Sequence, residues 1–209
     1  MKVLLRLFIT YKVYFLITFL FILFGLLALL FLKHGESVIA VNQCHNSYLD
    51  IFFTFITRLG EITGYLMSVL ILVFISVDLR KKYFLTLTIS ALLSLGITQS
   101  CKHYLFKNEH RPSYFYDNLH AIENENQHKN NSFPSGHTTA AFTFATVIAF
   151  SCRKIWVQIT TPILALLVAY SRLYLGQHFL IDIVVGGILG IMIASICFYL
   201  INDWFSSPK

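Results

Sequence analysis

The segment Pro134-Ser135-Gly136-His137 combines groups that can bind an anion and donate a proton to it. An uncharged apolar run follows directly, so Ser135 and Gly136 should stand at the start of a helix, where free backbone N–H groups and the helix dipole favour a bound phosphate. Gly136 lets the backbone approach that anion closely. A protonated His137 could give its proton to a leaving oxygen. Taken alone, the segment fits equally well an ordinary N-cap at Ser135 and an interfacial histidine.

A second group of residues, further along the chain, could supply a nucleophile. His178 and Asp182 are four residues apart at the start of another apolar run, so a helix would place them on one face. The carboxylate can then accept the imidazole Nδ1–H, which leaves Nε2 as the nucleophile. Arg172 precedes His178 by six residues and can donate two hydrogen bonds to phosphate oxygens. The alternative is a structural His–Asp pair beside an arginine that reaches toward the membrane surface.

Two cations, Lys102 and Arg111, come before both groups, and Pro112 follows Arg111. With Arg172 they bring the number of nearby cations to three, alongside a hydroxyl, two imidazoles and a carboxylate. This set of side chains is suited to binding and cleaving a phosphate ester.

The composition predicts that a membrane, not water, surrounds the elements that carry these residues. Of 209 residues, 56% are hydrophobic and 12% charged, against roughly 25% charged in an ordinary soluble domain. The formal net charge is +6. A nucleic-acid surface would need its cations clustered on a polar domain, which this sequence lacks, so we expect no nucleic-acid partner.

Six uncharged apolar runs predict the elements, and several fall short of the ~20 residues of a full span, so flanking residues must complete them. The runs are Val13–Leu32, Ile62–Val77, Tyr83–Cys101, Thr138–Cys152, Ile155–Ser171 and Ile183–Asn202. The first is longer than the apolar region of a secretory signal, so we interpret it as a retained helix. The sequence therefore predicts an all-α integral membrane bundle of six transmembrane helices, as one domain over residues 1–209.

The loops between the runs set the predicted orientation. Lysines and arginines number nine on one side and seven on the other, and the richer side should be cytoplasmic. The nine are Lys2, Arg6, Lys12, Arg80, Lys81, Lys82, Arg153, Lys154 and Lys209. Both termini should then be cytoplasmic, and the candidate site should face outward together with a long polar loop over about 103–134.

The long polar loop contains four histidines, His103, His110, His120 and His128, which lack a metal-ligand spacing. We therefore expect no metal or other cofactor.

The spaced residues resemble the signatures of a known family. Ser171-Arg172, five residues, His178, three residues and Asp182 resemble the third signature of the type 2 phosphatidic acid phosphatase superfamily. Pro134 to His137 resembles the second signature, and Arg111-Pro112 resembles the end of the first. The order, the separations and the six-run layout are similar to the bacterial membrane members.

The resemblance implies a role for each residue. His178 would attack phosphorus with support from Asp182, and His137 would protonate the leaving group and then activate water. The phosphoryl oxygens would be bound by Lys102, Arg111, Ser135, Gly136 and Arg172. Eight residues separate Lys102 from Arg111, where the family usually has six, so Lys107 competes for the lysine role. We favour Lys102 because a residue at a helix end is better positioned than one within a loop.

These observations predict an enzyme, a membrane lipid phosphatase of the bacterial inner membrane that needs no metal. Its partners would be the bilayer and a phosphorylated lipid, such as undecaprenyl diphosphate, phosphatidylglycerophosphate, phosphatidate or lipid A. A phosphotransferase that passes phosphate to a second lipid would use the same pocket. A transporter or a non-catalytic binding protein would instead place functional charges near the bilayer midplane.

Overall fold

A computed structural model of the chain describes residues 7–75, 80–122 and 128–206, and regular structure in these ranges is helical. The helices are α1 Lys12–Phe31, α2 Glu36–Asn42, α3 Ser47–Thr57, α4 Ile62–Ile75, α5 Arg80–Ser100, α6 Pro112–Phe115, α7 Gly136–Ser151, α8 Ile155–Tyr174 and α9 Leu180–Ser206. A 3₁₀ turn, Arg58–Gly60, joins α3 to α4, and a π-helical turn, Cys101–Leu105, follows α5.

Each of the six predicted apolar runs coincides with one of these helices, which confirms the all-helical class. Four helices, α1, α5, α8 and α9, are long and apolar enough to cross a membrane. The pair α3 and α4, bent by 67° at the intervening turn, would make a fifth span. Helix α7 has 16 residues and α4 has 14, so both fall short of a full span, and six spans remain a prediction. Lys2, Arg6 and Lys209 of the charge argument lie outside the described residues.

Helix α7 lies at the centre of the bundle and packs against α5, α8 and α9. After His137 its side chains are apolar or hydroxyl-bearing on every face, which is typical of a buried helix. The threonine hydroxyls return hydrogen bonds to carbonyls one turn earlier, as from Thr143 to Thr139 at 2.7 Å. Ser94 of α5 and Tyr14 of α1 hydrogen-bond to Thr143 and Thr146 at 2.7 and 2.6 Å. Few polar groups in this core are therefore left without partners.

Glycines at 186, 187 and 190 allow α9 to pack closely against α7. A Cβ on Gly186 would lie 2.8 Å from the carbonyl oxygen of Ser135, and one on Gly190 would clash with the carbonyl oxygen of Thr139. The first turns of the two helices are joined by a hydrogen bond of 3.1 Å from the Ser135 N–H to the Asp182 carbonyl. This contact fixes the start of α7 against the start of α9.

Helix α3 forms where apolar residues recur at helical spacing, and it begins at Ser47 because Asn46 caps it. The Asn46 side chain accepts hydrogen bonds from the N–H groups of Tyr48 and Leu49 at 3.1 and 3.0 Å. Phe53 and Ile56 face the bundle and are buried. The bend after α3 carries the chain across the first turn of α7.

The long polar loop is fastened to the helices at two places. The buried side chain of Asn42 donates to the carbonyls of His120 and Tyr174 at 3.1 and 2.8 Å and accepts from the His120 N–H at 2.8 Å. Asp50 accepts from His120 Nε2 at 3.0 Å and from the Tyr174 hydroxyl at 2.6 Å. Near its two ends the loop pairs with itself, through Arg111 N–H to the Lys129 carbonyl at 2.9 Å. The tract from Glu123 to Gln127 lies outside the described residues.

We expect Gly190→Ala to destabilise the protein, because the added Cβ would meet backbone of α7 and force the two helices apart. The loss should be about 1–3 kcal/mol. Gly96→Ala is the matched control, since a Cβ there has nothing within 4 Å and alanine favours a helix by about 0.5–1 kcal/mol. Thermal unfolding in detergent measures both variants. Equal melting temperatures for the two would contradict the close contact of α7 with α9.

Candidate active site

The structure brings the three groups of predicted site residues to one end of the bundle. Lys102 lies in the π-helical turn after α5, and Arg111 directly precedes α6. Ser135 caps α7, whose first two residues are Gly136 and His137. Arg172 lies in the last turn of α8, His178 in the loop before α9, and Asp182 in the first turn of α9. Four chain segments therefore meet at this site.

His178 and Asp182 form a buried pair. The Nδ1–H group of His178 donates to Asp182 Oδ2 over 3.2 Å, and the imidazole is 1% exposed. The same oxygen accepts the Phe179 N–H at 2.9 Å and the hydroxyl of Ser132. Three donors therefore hold the carboxylate in place, and the carboxylate fixes the tautomer in which His178 Nε2 carries a lone pair.

The start of α7 leaves room for an anion. The Ser135 hydroxyl accepts the Thr138 N–H at 3.4 Å and the Thr138 hydroxyl at 3.0 Å, so Ser135 acts as an N-cap as well as a site residue. A Cβ on Gly136 would meet only Lys102 Nζ, at 4.0 Å. The absent side chain therefore leaves space between the helix start and the lysine ammonium group.

The π-helical turn explains how Lys102 reaches the site despite the long spacing to Arg111. This turn widens the end of α5, a feature often found at functional sites, and it buries the Lys102 side chain against the helix start of α7. Lys107 is exposed and does not line the cavity described below. The structure thus brings Lys102 into the group and leaves Lys107 outside it.

Neutral groups contact both arginines of the site. Arg111 Nη1 donates to Gln177 Oε1 at 2.8 Å, and its Nε donates to the Asn130 carbonyl at 3.0 Å. Arg172 Nη1 donates to the hydroxyl of Thr57 at 2.7 Å. The Arg172 carbonyl accepts the N–H groups of Gln177 and His178 at 3.0 and 3.2 Å, which shapes the loop that carries His178.

Positive charge dominates the site. Lys102, Arg111 and Arg172 are 8%, 8% and 5% exposed, and among the described residues Asp182 is the one carboxylate buried to this degree. Burial lowers the pKa of His178 well below its ordinary value, and the charges of Arg111, Lys102 and Arg172 lower it further. The imidazole therefore stays neutral at physiological pH. Burial also lowers the pKa of Arg111, although this residue remains charged.

A cavity of about 760 Å³ opens at the site and runs between α4 and α5. One end is polar and includes Lys102, Arg111, Gly136, His137 and Arg172. The rest of the lining is mostly apolar and includes Tyr65, Ala91, Leu92, Leu95 and Phe144. A ligand with a charged head and a hydrocarbon chain fits this division.

Four residues that the sequence analysis left without a role also contribute to the site. Thr57 and Gln177 hold the two arginines, Ser132 holds Asp182, and Glu61 accepts the His137 Nε2–H at 2.9 Å. Glu61 was detectable as a carboxylate at the start of an apolar run, a costly position unless it is used. Ser132 sits in a polar loop and gives no such signal. Among the described residues, no three His, Cys, Asp or Glu side chains are grouped so as to hold a metal ion.

Comparison with known proteins decides the family. A model described as the PAP2 superfamily matches residues 81–206, which is more than half of the chain. The chain belongs to the PAP2 superfamily. This result confirms the resemblance drawn from the spaced signatures, and the matched region contains every predicted site residue.

Named relatives in this superfamily are lipid phosphatases. The chain is 34% identical over 118 residues to a putative undecaprenyl-diphosphatase of Escherichia coli (strain K12), an alignment that spans 54% of this chain and 54% of the relative. It is 28% identical to a lipid A 4'-phosphatase of Porphyromonas gingivalis, over 81% of this chain and 75% of that protein. The crystal structure of Aquifex aeolicus LpxE matches with a TM-score of 0.68 and 28% identity, covering 79% of this chain and 94% of that one.

We expect Arg111→Gln to raise the pKa of His178, because loss of the guanidinium charge removes one cause that disfavours the imidazolium. An NMR titration of labelled histidine in phosphate-free buffer measures this pKa, and His178→Gln assigns the signal. Arg58→Gln is the control, since Arg58 is exposed on the turn before α4. An unchanged titration of His178 in Arg111→Gln would contradict the electrostatic account of the site.

Proposed function

We propose that this protein is a membrane lipid phosphatase that removes phosphate from a lipid phosphomonoester or diphosphate through a phosphohistidine intermediate. The observation that carries the proposal is the meeting of three buried cations, a helix start and a buried His–Asp pair at the polar end of one cavity. Buried cations with so few carboxylates are costly unless an anion joins them. A phosphoryl group supplies the missing negative charge.

In the first half-reaction, Nε2 of His178 attacks phosphorus and the bond from phosphorus to the lipid oxygen breaks. The Nδ1–H of His178 stays hydrogen-bonded to Asp182, whose carboxylate stabilises the positive charge that develops on the ring. His137 gives its proton to the departing oxygen. Lys102, Arg111, Arg172, the Ser135 hydroxyl and the Gly136 N–H bind the phosphoryl oxygens through the transition state.

In the second half-reaction, water attacks the phosphohistidine. His137, now neutral, takes a proton from that water, the bond from phosphorus to His178 Nε2 breaks, and inorganic phosphate leaves. The two histidines need different protonation states at the outset: His178 neutral as the nucleophile and His137 protonated as the acid. Burial lowers the pKa of His178 and so meets the first requirement. Burial and the charge of Arg172 also lower the pKa of His137, to about 4, and Glu61 opposes this shift. The negative charge of a bound phosphoryl group beside His137 must therefore help to stabilise its protonated form.

A lipid is the substrate that suits the cavity, because its mostly apolar end lies between α4 and α5 and its polar end meets the catalytic groups. The hydrocarbon chain would stay on the apolar side while the phosphate reaches the cations. The names of the two relatives, an undecaprenyl-diphosphatase and a lipid A phosphatase, fit this assignment.

We place the site on the outer face of the bacterial inner membrane, with both termini in the cytoplasm. The described cations Lys82, Arg153 and Lys154 lie at the opposite end of the bundle from the site, and they belong to the side richer in lysine and arginine. A single six-span domain over residues 1–209 fits this arrangement.

The proposal predicts phosphate release by the detergent-purified protein from at least one of phosphatidate, phosphatidylglycerophosphate, undecaprenyl diphosphate and lipid A. Release should persist in a chelator, because the cations take the place of a metal on the phosphoryl oxygens. His178→Ala should reduce it by about 10³-fold or more. His103→Ala is the matched control, an exposed histidine at the same end of the protein.

The products decide between hydrolysis and transfer. Inorganic phosphate formed by the wild type and lost in His178→Ala supports the phosphatase. Phosphate that appears only on a second lipid would replace hydrolysis with phosphotransfer at the same histidine. No phosphate release and no transfer from any lipid would overturn the catalytic proposal.

A further inference from the structure

Glu61 is a carboxylate that the proposed mechanism does not use, although it contacts a residue central to that mechanism. Its Oε1 accepts the Nε2–H of His137 at 2.9 Å, with the side chains 45% and 28% exposed. Glu61 lies outside the residues that the family model matches, 81–206. The contact therefore joins the α3–α4 region to the part of the chain that the family model matches.

The neighbouring residues hold Glu61 in place. A Cβ on Gly60 would lie 2.7 Å from the His137 carbonyl oxygen and 2.9 Å from the His137 Cβ, so only glycine allows the 3₁₀ turn to press on the first turn of α7. Thr57, at the other end of the same turn, accepts the hydrogen bond from Arg172. One short segment thus touches both the phosphate-binding arginine and the acid–base histidine, which argues against a chance surface pair.

The contact assigns different tasks to the two nitrogens of His137. A carboxylate only accepts, so Nε2 carries a hydrogen, and Nδ1 is left to exchange a proton with the substrate. Nδ1 can donate to the leaving oxygen in the first half-reaction and accept from water in the second, while Glu61 holds the ring and stabilises the imidazolium. The carboxylate therefore favours the protonated form of His137, which is the form that acts as the acid.

The position of Glu61 also bears on the leaving group. Glu61 lines the cavity together with His137, whose Nε2 it contacts, so its carboxylate lies near the leaving oxygen that His137 would protonate. A lipid alkoxide needs a proton when it leaves, whereas the inner phosphate of a diphosphate is a stable anion that leaves without one. That inner phosphate would also bring negative charge close to the Glu61 carboxylate.

Resting on the proposed phosphatase function, we propose that Glu61 is a positioning residue for His137 and adapts the site to lipid phosphomonoesters in preference to diphosphates. The relevant class comprises substrates whose leaving group is an alkoxide. The carboxylate favours proton supply to the leaving oxygen and repels a second phosphate. Both effects favour monoesters over diphosphates.

The test compares Glu61→Gln with the wild type on substrates that differ in the leaving group. Farnesyl phosphate and farnesyl diphosphate share one chain, and p-nitrophenyl phosphate has a leaving group that needs no proton. The measured quantity is the rate of leaving-group release in a single turnover, which precedes the hydrolysis step that all three substrates share. For the variant, this rate should fall by about 10-fold to 100-fold with farnesyl phosphate. It should change by less than about 3-fold with p-nitrophenyl phosphate, and it should be unchanged or higher with farnesyl diphosphate. Glu36→Gln, at an exposed carboxylate outside this cavity, is the control.

Each outcome bears on a different claim. An equal loss on all three substrates, or no loss on any, would overturn the role of Glu61 while leaving the phosphatase proposal intact. A wild type inactive on all of these and on the lipids above would instead overturn the function itself. If Glu61→Gln does not fold, ¹⁵N NMR of wild-type His137 decides, since neutral His137 protonated on Nδ1 and not on Nε2 contradicts the inference.

Discussion

The contact between the first turns of α7 and α9 is the constraint on which the site depends. Gly186 and Gly190 let the two backbones meet, and the Ser135 N–H bonds to the Asp182 carbonyl at 3.1 Å. Between membrane helices such packing and hydrogen bonding replace the hydrophobic effect as the source of association. A slip of one residue would shift one helix by about 1.5 Å, more than a catalytic arrangement tolerates. The contact thus sets the His178–Asp182 pair against the anion-binding start of α7.

The second constraint is electrostatic. Lys102, Arg111 and Arg172 are buried together, and neutral groups, a glutamine, a threonine and a backbone carbonyl, hold the two arginines. Holding three like charges close together in a buried site is unfavourable for the empty protein. It prepares the site for a phosphoryl group, whose charge completes it. The positive charges of these three residues also help burial to keep His178 neutral. The same cations therefore bind the phosphoryl group and keep the imidazole in its nucleophilic form.

The sequence was sufficient for the parts of the molecule that depend on local pattern. Apolar runs located six helices, and fixed spacings at helix ends located the eight candidate site residues that the fold gathers. It could not supply contacts between distant segments. Glu61 and His137 are 76 residues apart, and their pairing depends on a turn that only Gly60 permits. The π-helical turn that accommodates the eight-residue spacing after Lys102 is likewise a tertiary feature, since no local rule distinguishes it from an ordinary helix end.

The most direct test of the account is to find where phosphate becomes covalently attached. His137→Ala should still be phosphorylated by p-nitrophenyl phosphate, whose leaving group needs no acid, but should release the phosphate slowly because water is no longer activated. Mass spectrometry of the rapidly quenched protein should then find an acid-labile phosphate on His178. Phosphate on any other residue, or none during measurable turnover, would contradict the central claim that His178 is the nucleophile held between α7 and α9.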